Sequence, residues 1–235
     1  MPDANPITPE VASRYAVYAM LANNCYHEPS KPPFAVGRIG WDLVDLDGDP
    51  TTEATRENAT TGFAYDIYDH RETNETVIAF RGTDSSRDWV LANFAIPFSI
   101  PYKQANKAVR LYLSRHPHRN LFLVGHSLGG GMALGASSHF GVPAVTFDPS
   151  PRIFDGLGDH HEAALRVVIY QNGEILEAVR ERWPKIREVV KPENAYVCSY
   201  NFDKANAHRI DLLSLRIAQD AAPLNADVRR VLGPN

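Results

Sequence analysis

Hydrophobic and polar positions along the chain change their period several times, and each period predicts a different element. Between residues 9 and 24 the apolar side chains recur every three or four positions, which is typical of an amphipathic helix, and Thr8 precedes this run as a capping residue. Residues 29–60 are rich in Pro, Gly, Asp and Thr and predict a long loop with short extended pieces. Residues 62–83 alternate and then become continuously apolar, which indicates a β-hairpin with a buried second strand.

The second half of the chain alternates strands with helices. We predict a helix over 103–116, a strand over 121–125, a helix from about 127 to 140, strands over 143–148 and 165–171, a short helix over 176–183, a closing pair of strands over 186–191 and 195–200, and a helix over 208–219. This order predicts an α/β class, with a sheet that is parallel in its middle and covered by helices on both faces. Since no repeat or linker interrupts the pattern, residues 1–235 are predicted to form a single domain.

Composition and charge exclude some partners. The chain is 44% hydrophobic, which is enough for a full core, and its net charge of −4 provides no basic surface for nucleic acid. No apolar run approaches the ~18–20 residues that a membrane span needs. The N-terminus lacks the charged-then-apolar pattern of a signal peptide. We therefore expect no nucleic-acid partner and no transmembrane segment, and a protein that is cytoplasmic or exported by a route that needs no signal peptide.

Ser127 stands between two glycines in the sequence GHSLG, residues 125–129, which satisfies the pattern G-x-S-x-G. An apolar strand is predicted to end at this serine and a helix to begin directly after it, and such a tight turn exposes the hydroxyl. Gly125 and Gly129 lack the β-carbons that would collide across the turn. The helix N-terminus directs backbone N–H groups at developing negative charge. We predict that Ser127 is a nucleophile and not an inert residue of a glycine turn.

A serine nucleophile needs a histidine base held by a carboxylate, and in the α/β-hydrolase order both follow the serine. His208 is the favoured base because it follows every predicted strand, where a late loop reaches back over the sheet edge. His139 lies within the helix after the serine. His160 and His161 precede the strand that is expected to carry the acid.

Two carboxylates compete for the role of the acid. Asp148 ends the strand over 143–148, and Glu174 follows the strand over 165–171, so both are predicted at the carboxyl ends of parallel strands. Glu174 is favoured because it lies one strand further along the chain. Asp148 is kept as the alternative acid, or else as a turn residue.

Acyl transfer also needs N–H donors for the oxyanion, one after the nucleophile and one after an earlier strand. The backbone N–H of Leu128 is the first candidate. Gly82 and Thr83, directly after the buried strand, are candidates for the second, with the Thr83 hydroxyl as an extra donor or with a purely structural turn as the alternative. The following segment suits an amphipathic lid over an acyl pocket, or equally core packing; it contains Trp89, Val90 and Leu91.

Together these motifs resemble the class 3 lipase family, a branch of the α/β hydrolases with fungal and bacterial members, over about residues 60–210. The resemblance depends on FRGT and GHSLGG, some 45 positions apart, and on TGFAYDIYD, VTFDPSPRIF and AHRIDLL. It implies an α/β-hydrolase fold and the following site: Ser127 as nucleophile, His208 as the late histidine, Thr83 and Leu128 at the oxyanion hole, and a lid around Trp89.

The chain departs from this family at the acid. The family usually has Asp in the turn after the next-to-last strand, where this chain has Asn172-Gly173-Glu174. The family's Pro-Arg appears as residues 151–152, which argues against Asp148 as the acid. Some fungal members carry a disulfide that would correspond to Cys25 and Cys198, whereas the residues alone favour two buried thiols.

We therefore expect a serine ester hydrolase that cleaves lipid or other acyl esters through a covalent acyl-enzyme, with no metal and no cofactor. Its expected partner is a lipid or other acyl-ester substrate, with a membrane or lipid surface as one place of action. One alternative is a short-chain carboxylesterase, and another is a phospholipase A-type effector, whose export would call for a dedicated inhibitor or immunity protein. An alternative from a different class is a catalytically dead lipase-like binding module.

Overall fold

The structure is a computed structural model that describes residues 4–53, 55–58, 63–82, 99–151, 153, 161–182 and 185–233. Its strands are β1 Asn5–Pro6, β2 Trp41–Val44, β3 Thr55–Asn58, β4 Phe63–His70, β5 Glu75–Phe80, β6 Asn120–His126, β7 Ala144–Phe147, β8 Arg166–Gln171 and β9 Ala195–Cys198. Its helices are α1 Pro9–Asn24, α2 Ser99–Arg115, α3 Leu128–Phe140, α4 Glu177–Arg182, α5 Lys185–Val189, α6 Ile210–Ala221 and α7 Ala226–Leu232, with short 3₁₀ turns at Val36–Ile39 and Pro192–Asn194.

The strands form a mixed sheet in the order β1-β9-β8-β7-β6-β5-β4-β2, with β3 also paired to β4. β5 to β9 run parallel to one another, and β4 joins β5 as the antiparallel hairpin that the sequence predicts, with Tyr65 opposite Phe80. The parallel centre brings the carboxyl ends of β6, β7 and β8 to one edge of the sheet. The predicted α/β class, with a sheet that is parallel in its middle, is confirmed.

Alternation along the central strands separates two apolar cores. Val77 and Ala79 of β5 pack into one buried cluster with α1, α6 and α7, whereas Ile78 and Phe80 pack into another with α2 and α3. Because successive side chains of a strand point to opposite faces, one strand serves both layers. Helices therefore cover both faces of the sheet, as expected.

The prediction of a strand over residues 186–191 is wrong, because Lys185–Val189 is the helix α5. Ile186 and Val190 are both buried and lie four positions apart, which is the spacing of one helical face. The other predicted member of that pair is a strand, β9, and it pairs in parallel with β8 and β1.

The structure also describes the predicted helix cap, the two cysteines and the helices that bear on the membrane-span prediction. Thr8 caps α1, with its hydroxyl accepting from the N–H of Val11. Cys25 and Cys198 are buried thiols, so the disulfide implied by the family resemblance is not formed. Within the part of the chain that the structure describes, no helix combines the length and the apolar character needed to cross a bilayer.

Candidate active site

Ser127 occupies the turn between β6 and α3, with φ 56° and ψ −125°. A positive φ is uncommon for a residue with a side chain, and it marks a constrained turn. The neighbouring glycines permit it: a β-carbon at Gly125 would lie 2.4 Å from the carbonyl carbon and oxygen of Gly129, and one at Gly129 would lie 2.1 Å from the Phe80 oxygen. The sequence prediction of a tight strand–turn–helix at this serine is confirmed.

His208 and Glu174 approach the serine from distant parts of the chain. The Nε2 atom of His208, in the loop before α6, lies 3.0 Å from Oγ of Ser127. On the other side of the imidazole, Nδ1 lies 2.6 Å from Oε2 of Glu174. A hydroxyl, an imidazole and a carboxylate in this spatial order can support acyl transfer.

Glu174 is held by contacts that fix both carboxylate oxygens. Oε2 accepts a 2.8 Å hydrogen bond from the backbone N–H of Leu176, and Oε1 pairs with the guanidinium of Arg180 on α4. Both side chains of this ion pair are fully buried. Burial by itself would raise the pKa of Glu174, but the Arg180 charge and the contact with His208 hold that pKa below its usual range. Glu174 is therefore ionised beside the imidazole.

Arg180 is a site residue that sequence reasoning missed. Its side chain also donates to the Pro149 carbonyl at 3.2 Å and lies over the Tyr170 ring, with 5.0 Å from the guanidinium carbon to the ring centroid. The sequence holds only a weak signal for it: Arg180 follows the apolar Leu176 by four positions, but this spacing alone does not indicate a buried charge.

Asp148, the alternative acid, is also at the site but in a different relation to His208. It follows β7 with φ 41°, it is fully buried, and Oδ1 accepts a 2.7 Å hydrogen bond from the backbone N–H of Gln171. Burial and the neighbouring negative charge of Glu174 raise the pKa of Asp148 to about 7. The geometry thus gives Glu174 the direct contact with the imidazole.

His126, inside the GHSLG motif, contacts both Tyr26 and His208. Its Nδ1 is 2.7 Å from the Tyr26 hydroxyl, and its ring centroid is 4.7 Å from that of His208. Burial, and next the neighbouring His208, lower the pKa of His126 well below its usual value, so this imidazole is neutral. Sequence reasoning passed over both Tyr26 and His126 as contributors to the site.

His126, Asp148 and His208 offer possible metal-donor atoms within 4.8 Å of one another. Imidazole and carboxylate are ligands that zinc accepts. Both ring nitrogens of His208 already contact Ser127 and Glu174, however, and a metal ion would have to displace one of those contacts. We therefore assign no metal to this group.

Of the residues predicted for the oxyanion hole and the lid, the structure describes only Gly82 and Leu128. Leu128 is the first residue of α3, directly after Ser127. Thr83 lies outside the described residues, as do Trp89, Val90 and Leu91 of the lid segment. The preceding Gly82 is described, and it is so close to the turn that a β-carbon there would lie 3.1 Å from Cβ of Ser127. The end of β5 thus borders Ser127.

Comparisons with known proteins agree with this architecture. The family model of the Tle-like phospholipase domain, described as phospholipase-like, matches residues 17–187. The extracellular phospholipase A1 of Serratia liquefaciens is 37% identical over 133 residues, which is 55% of this chain and 40% of that protein. The chain therefore spans less than half the length of this curated relative.

Among solved structures, the MDLA N225Q mutant from Penicillium cyclopium aligns with a TM-score of 0.51 at 14% identity, covering 85% of this chain and 84% of the other. A lipase from Rhizopus microsporus var. chinensis aligns with a TM-score of 0.49 at 17% identity, covering 71% and 68%. The α/β-hydrolase fold and the likeness to lipases expected from the sequence are confirmed. Because the family model covers most of its length, the chain belongs to the family of Tle-like phospholipase domains.

Proposed function

We propose that this chain is a serine ester hydrolase that cleaves acyl esters of lipids through a covalent acyl-enzyme. The observation that carries the proposal is the chain of contacts from Ser127 through His208 to Glu174, at 3.0 Å and 2.6 Å. These contacts support the proposed roles of Ser127 as nucleophile, His208 as general base and Glu174 as orienting acid.

In the first half of the reaction, Oγ of Ser127 attacks the ester carbonyl carbon while Nε2 of His208 takes the hydroxyl proton. The carbonyl oxygen becomes an oxyanion, which the N–H of Leu128 and a second donor at Thr83 stabilise. The imidazolium formed at His208 is neutralised by Glu174. When the tetrahedral intermediate collapses, His208 returns the proton to the leaving alcohol, and Ser127 is left acylated.

In the second half, water enters in place of the alcohol and His208 removes one of its protons. The resulting hydroxide attacks the acyl carbon, and a second tetrahedral intermediate passes through the same oxyanion hole. Collapse breaks the bond to Oγ, releases the carboxylic acid, and returns the proton from His208 to Ser127. No group beyond the described and proposed residues is required for the proton transfers.

We propose phospholipids, at a membrane or lipid surface, as the substrate class. The family match supports this, and the Serratia relative is named as an extracellular phospholipase A1. If the chain is exported as an effector, the proposal includes a dedicated inhibitor protein that protects the producing cell. A short-chain carboxylesterase uses the same residues and differs only in the substrate that it accepts.

A fluorophosphonate probe tests the nucleophile. The probe should label the wild-type protein covalently and leave S127A unlabelled, as measured by intact mass. Ser114→Ala is the matched control, because it makes the same chemical change at an exposed position of α2. An unlabelled but folded wild-type protein would refute the enzyme and leave the binding module as the explanation.

The substrate class is tested by comparing vesicles of phosphatidylcholine with p-nitrophenyl esters of increasing chain length. We expect fatty acid release from the vesicles, detected by mass spectrometry, and none by S127A. Hydrolysis of p-nitrophenyl acetate without any release from vesicles would contradict the phospholipase and favour the carboxylesterase.

A further inference from the structure

Asp148 is a buried carboxyl at the site that the proposed reaction does not use. Its backbone lies in the left-handed region at φ 41°, and its side chain is fully buried. Oδ1 accepts from the Gln171 N–H, whereas Oδ2 has no hydrogen-bond partner among the described residues. A strained backbone and an unsatisfied buried oxygen both carry a cost in free energy, and such features concentrate at functional sites.

The surroundings of Asp148 are those of the triad. One of its oxygens lies within 4.8 Å of a ring nitrogen of His208 and of His126. The titratable and charged side chains that interact with it come from several elements: His126 of β6, Glu174 after β8, Arg180 of α4, Cys198 of β9 and His208 before α6.

These neighbours act on Asp148 in opposite directions. Burial and the negative charge of Glu174 raise its pKa to about 7, while His208, Arg180 and the Gln171 N–H favour the ionised form. Two adjacent carboxyls cannot both ionise without penalty, so the pair carries one negative charge below about pH 7 and gains the second as the pH rises past that value. Glu174 holds the first charge because it pairs directly with Arg180 and His208.

Removing the charge of Glu174 shifts this balance towards ionisation of Asp148. Burial still raises the pKa of Asp148, but the repulsion from Glu174 disappears while the attraction of Arg180 and His208 remains. Asp148 then releases its proton to water and becomes the carboxylate beside the imidazole. Oδ2 of Asp148, which has no hydrogen-bond partner among the described residues, is the oxygen available to His208.

We propose that Asp148 is a positioning residue, a reserve carboxyl that supports His208 once the negative charge of Glu174 is removed. This inference rests on the proposed function and adds to it a second acid at the same imidazole. In the intact site its contribution is small, because Glu174 occupies Nδ1 of His208. It becomes decisive only after Glu174 is altered.

A double-mutant cycle on the full chain tests this. D148N alone should lower kcat/KM for a p-nitrophenyl ester by less than about threefold. E174Q should lower it about 10²-fold, because Asp148 takes over part of the role. The double variant should fall about 10⁴-fold, as when a triad has no carboxylate. Asn is a matched replacement, since it keeps the acceptor for Gln171 and tolerates a positive φ.

The pH profile separates support of His208 from a merely structural role. In E174Q, kcat/KM should rise with the ionisation of Asp148, and that rise should be absent from E174Q/D148N. A carbon-13 NMR titration of Asp148 should show a lower pKa in E174Q than in the wild-type protein. A cycle in which the double variant equals the product of the singles, or an unchanged pKa of Asp148, would overturn the proposal.

Two further variants control for misfolding and for the charge at position 174. Glu174→Asp keeps a negative charge beside Asp148 and Arg180, so D148N should be no more harmful in that background than in the wild-type protein. Asp148→Gly removes the carboxyl and suits φ 41°. Fluorophosphonate labelling of the wild-type protein is measured alongside: an unlabelled wild type refutes the proposed function, whereas a labelled wild type with an additive cycle refutes only the reserve carboxyl.

Discussion

The nucleophile turn and the acid end of the site are built in contrasting ways. The nucleophile turn is a contiguous stretch, residues 125–129, in which backbone atoms approach so closely that glycine is required at both ends. The acid end, defined here as Asp148, Glu174 and Arg180, gathers buried ionisable groups from two segments, the end of β7 and residues 174–180. Sterics determine the first region, and electrostatics in a low-dielectric interior determine the second.

This contrast teaches that the two regions tolerate different errors. The nucleophile turn has almost no room, so an added methyl group is harmful whatever its polarity. At the acid end, opposite charges are buried together. Replacing one of them by an uncharged side chain of similar volume is therefore destabilising, because it leaves the other charge buried and unpaired. Four substitutions test that distinction.

Gly129→Ala is expected to have the largest effect. Its β-carbon would lie 2.1 Å from the backbone oxygen of Phe80, which is the end of a central strand and cannot retreat. We expect a loss of more than about 4 kcal/mol in the free energy of unfolding, measured by urea denaturation. Gly37→Ala is the matched control, because nothing lies within 4 Å of a β-carbon there. Equal stability of the two variants would show that the turn is not sterically fixed.

The same contrast explains what the sequence could predict. Ser127, its glycines and the following helix could be read from residues 125–140, because local sterics need no information from elsewhere. His208 could be predicted from chain order and Glu174 from strand order. Arg180 could not, because a helical arginine is exposed unless something buried requires its charge, and only the fold brings Glu174 to it.

The fold itself was predictable where the pattern was long. The alternation of strands and helices through the centre of the chain predicted the sheet correctly. The error over residues 186–191 arose because a short run with Ile186, Val189 and Val190 has the composition of a strand, and a helix of five residues shows little periodicity.

Arg180→Met is expected to have the next largest effect. The substitution keeps much of the apolar volume but leaves Glu174 as an unpaired buried carboxylate, which costs about 3–5 kcal/mol. The loss should be smaller at acid pH, because burial raises the pKa of Glu174 once Arg180 is gone and protonation then relieves it. Arg115→Met, which breaks an exposed ion pair with Asp47, should cost less than about 1 kcal/mol. Equal losses would mean that burial of the pair is not decisive.

Asp148→Asn is expected to change stability with pH. The unfolded carboxyl titrates near ~3.9, whereas the pKa of Asp148 in the folded protein is about 7. Between these values the folded state binds more protons than the unfolded state, so the stability of the wild-type protein falls as pH rises. The Asn variant lacks this loss, so its advantage should grow from about pH 4 to about pH 7 and then level off. Urea denaturation across this range measures it, and a constant difference would contradict the raised pKa.

Tyr26→Phe should have the smallest effect of the four substitutions. It tests whether the nucleophile turn and the acid end are coupled. His126 belongs to the nucleophile turn by sequence, but its ring lies beside His208, and the positive charge of Arg180 contributes to lowering its pKa. Losing the 2.7 Å contact of the Tyr26 hydroxyl with Nδ1 leaves a buried ring nitrogen unsatisfied, at about 1–2 kcal/mol. If His126 couples the regions, Tyr26→Phe combined with Arg180→Met should depart from additivity by about 0.5 kcal/mol or more in urea denaturation. Strict additivity would show that the sterically fixed turn and the charged acid end are independent, although they share a histidine.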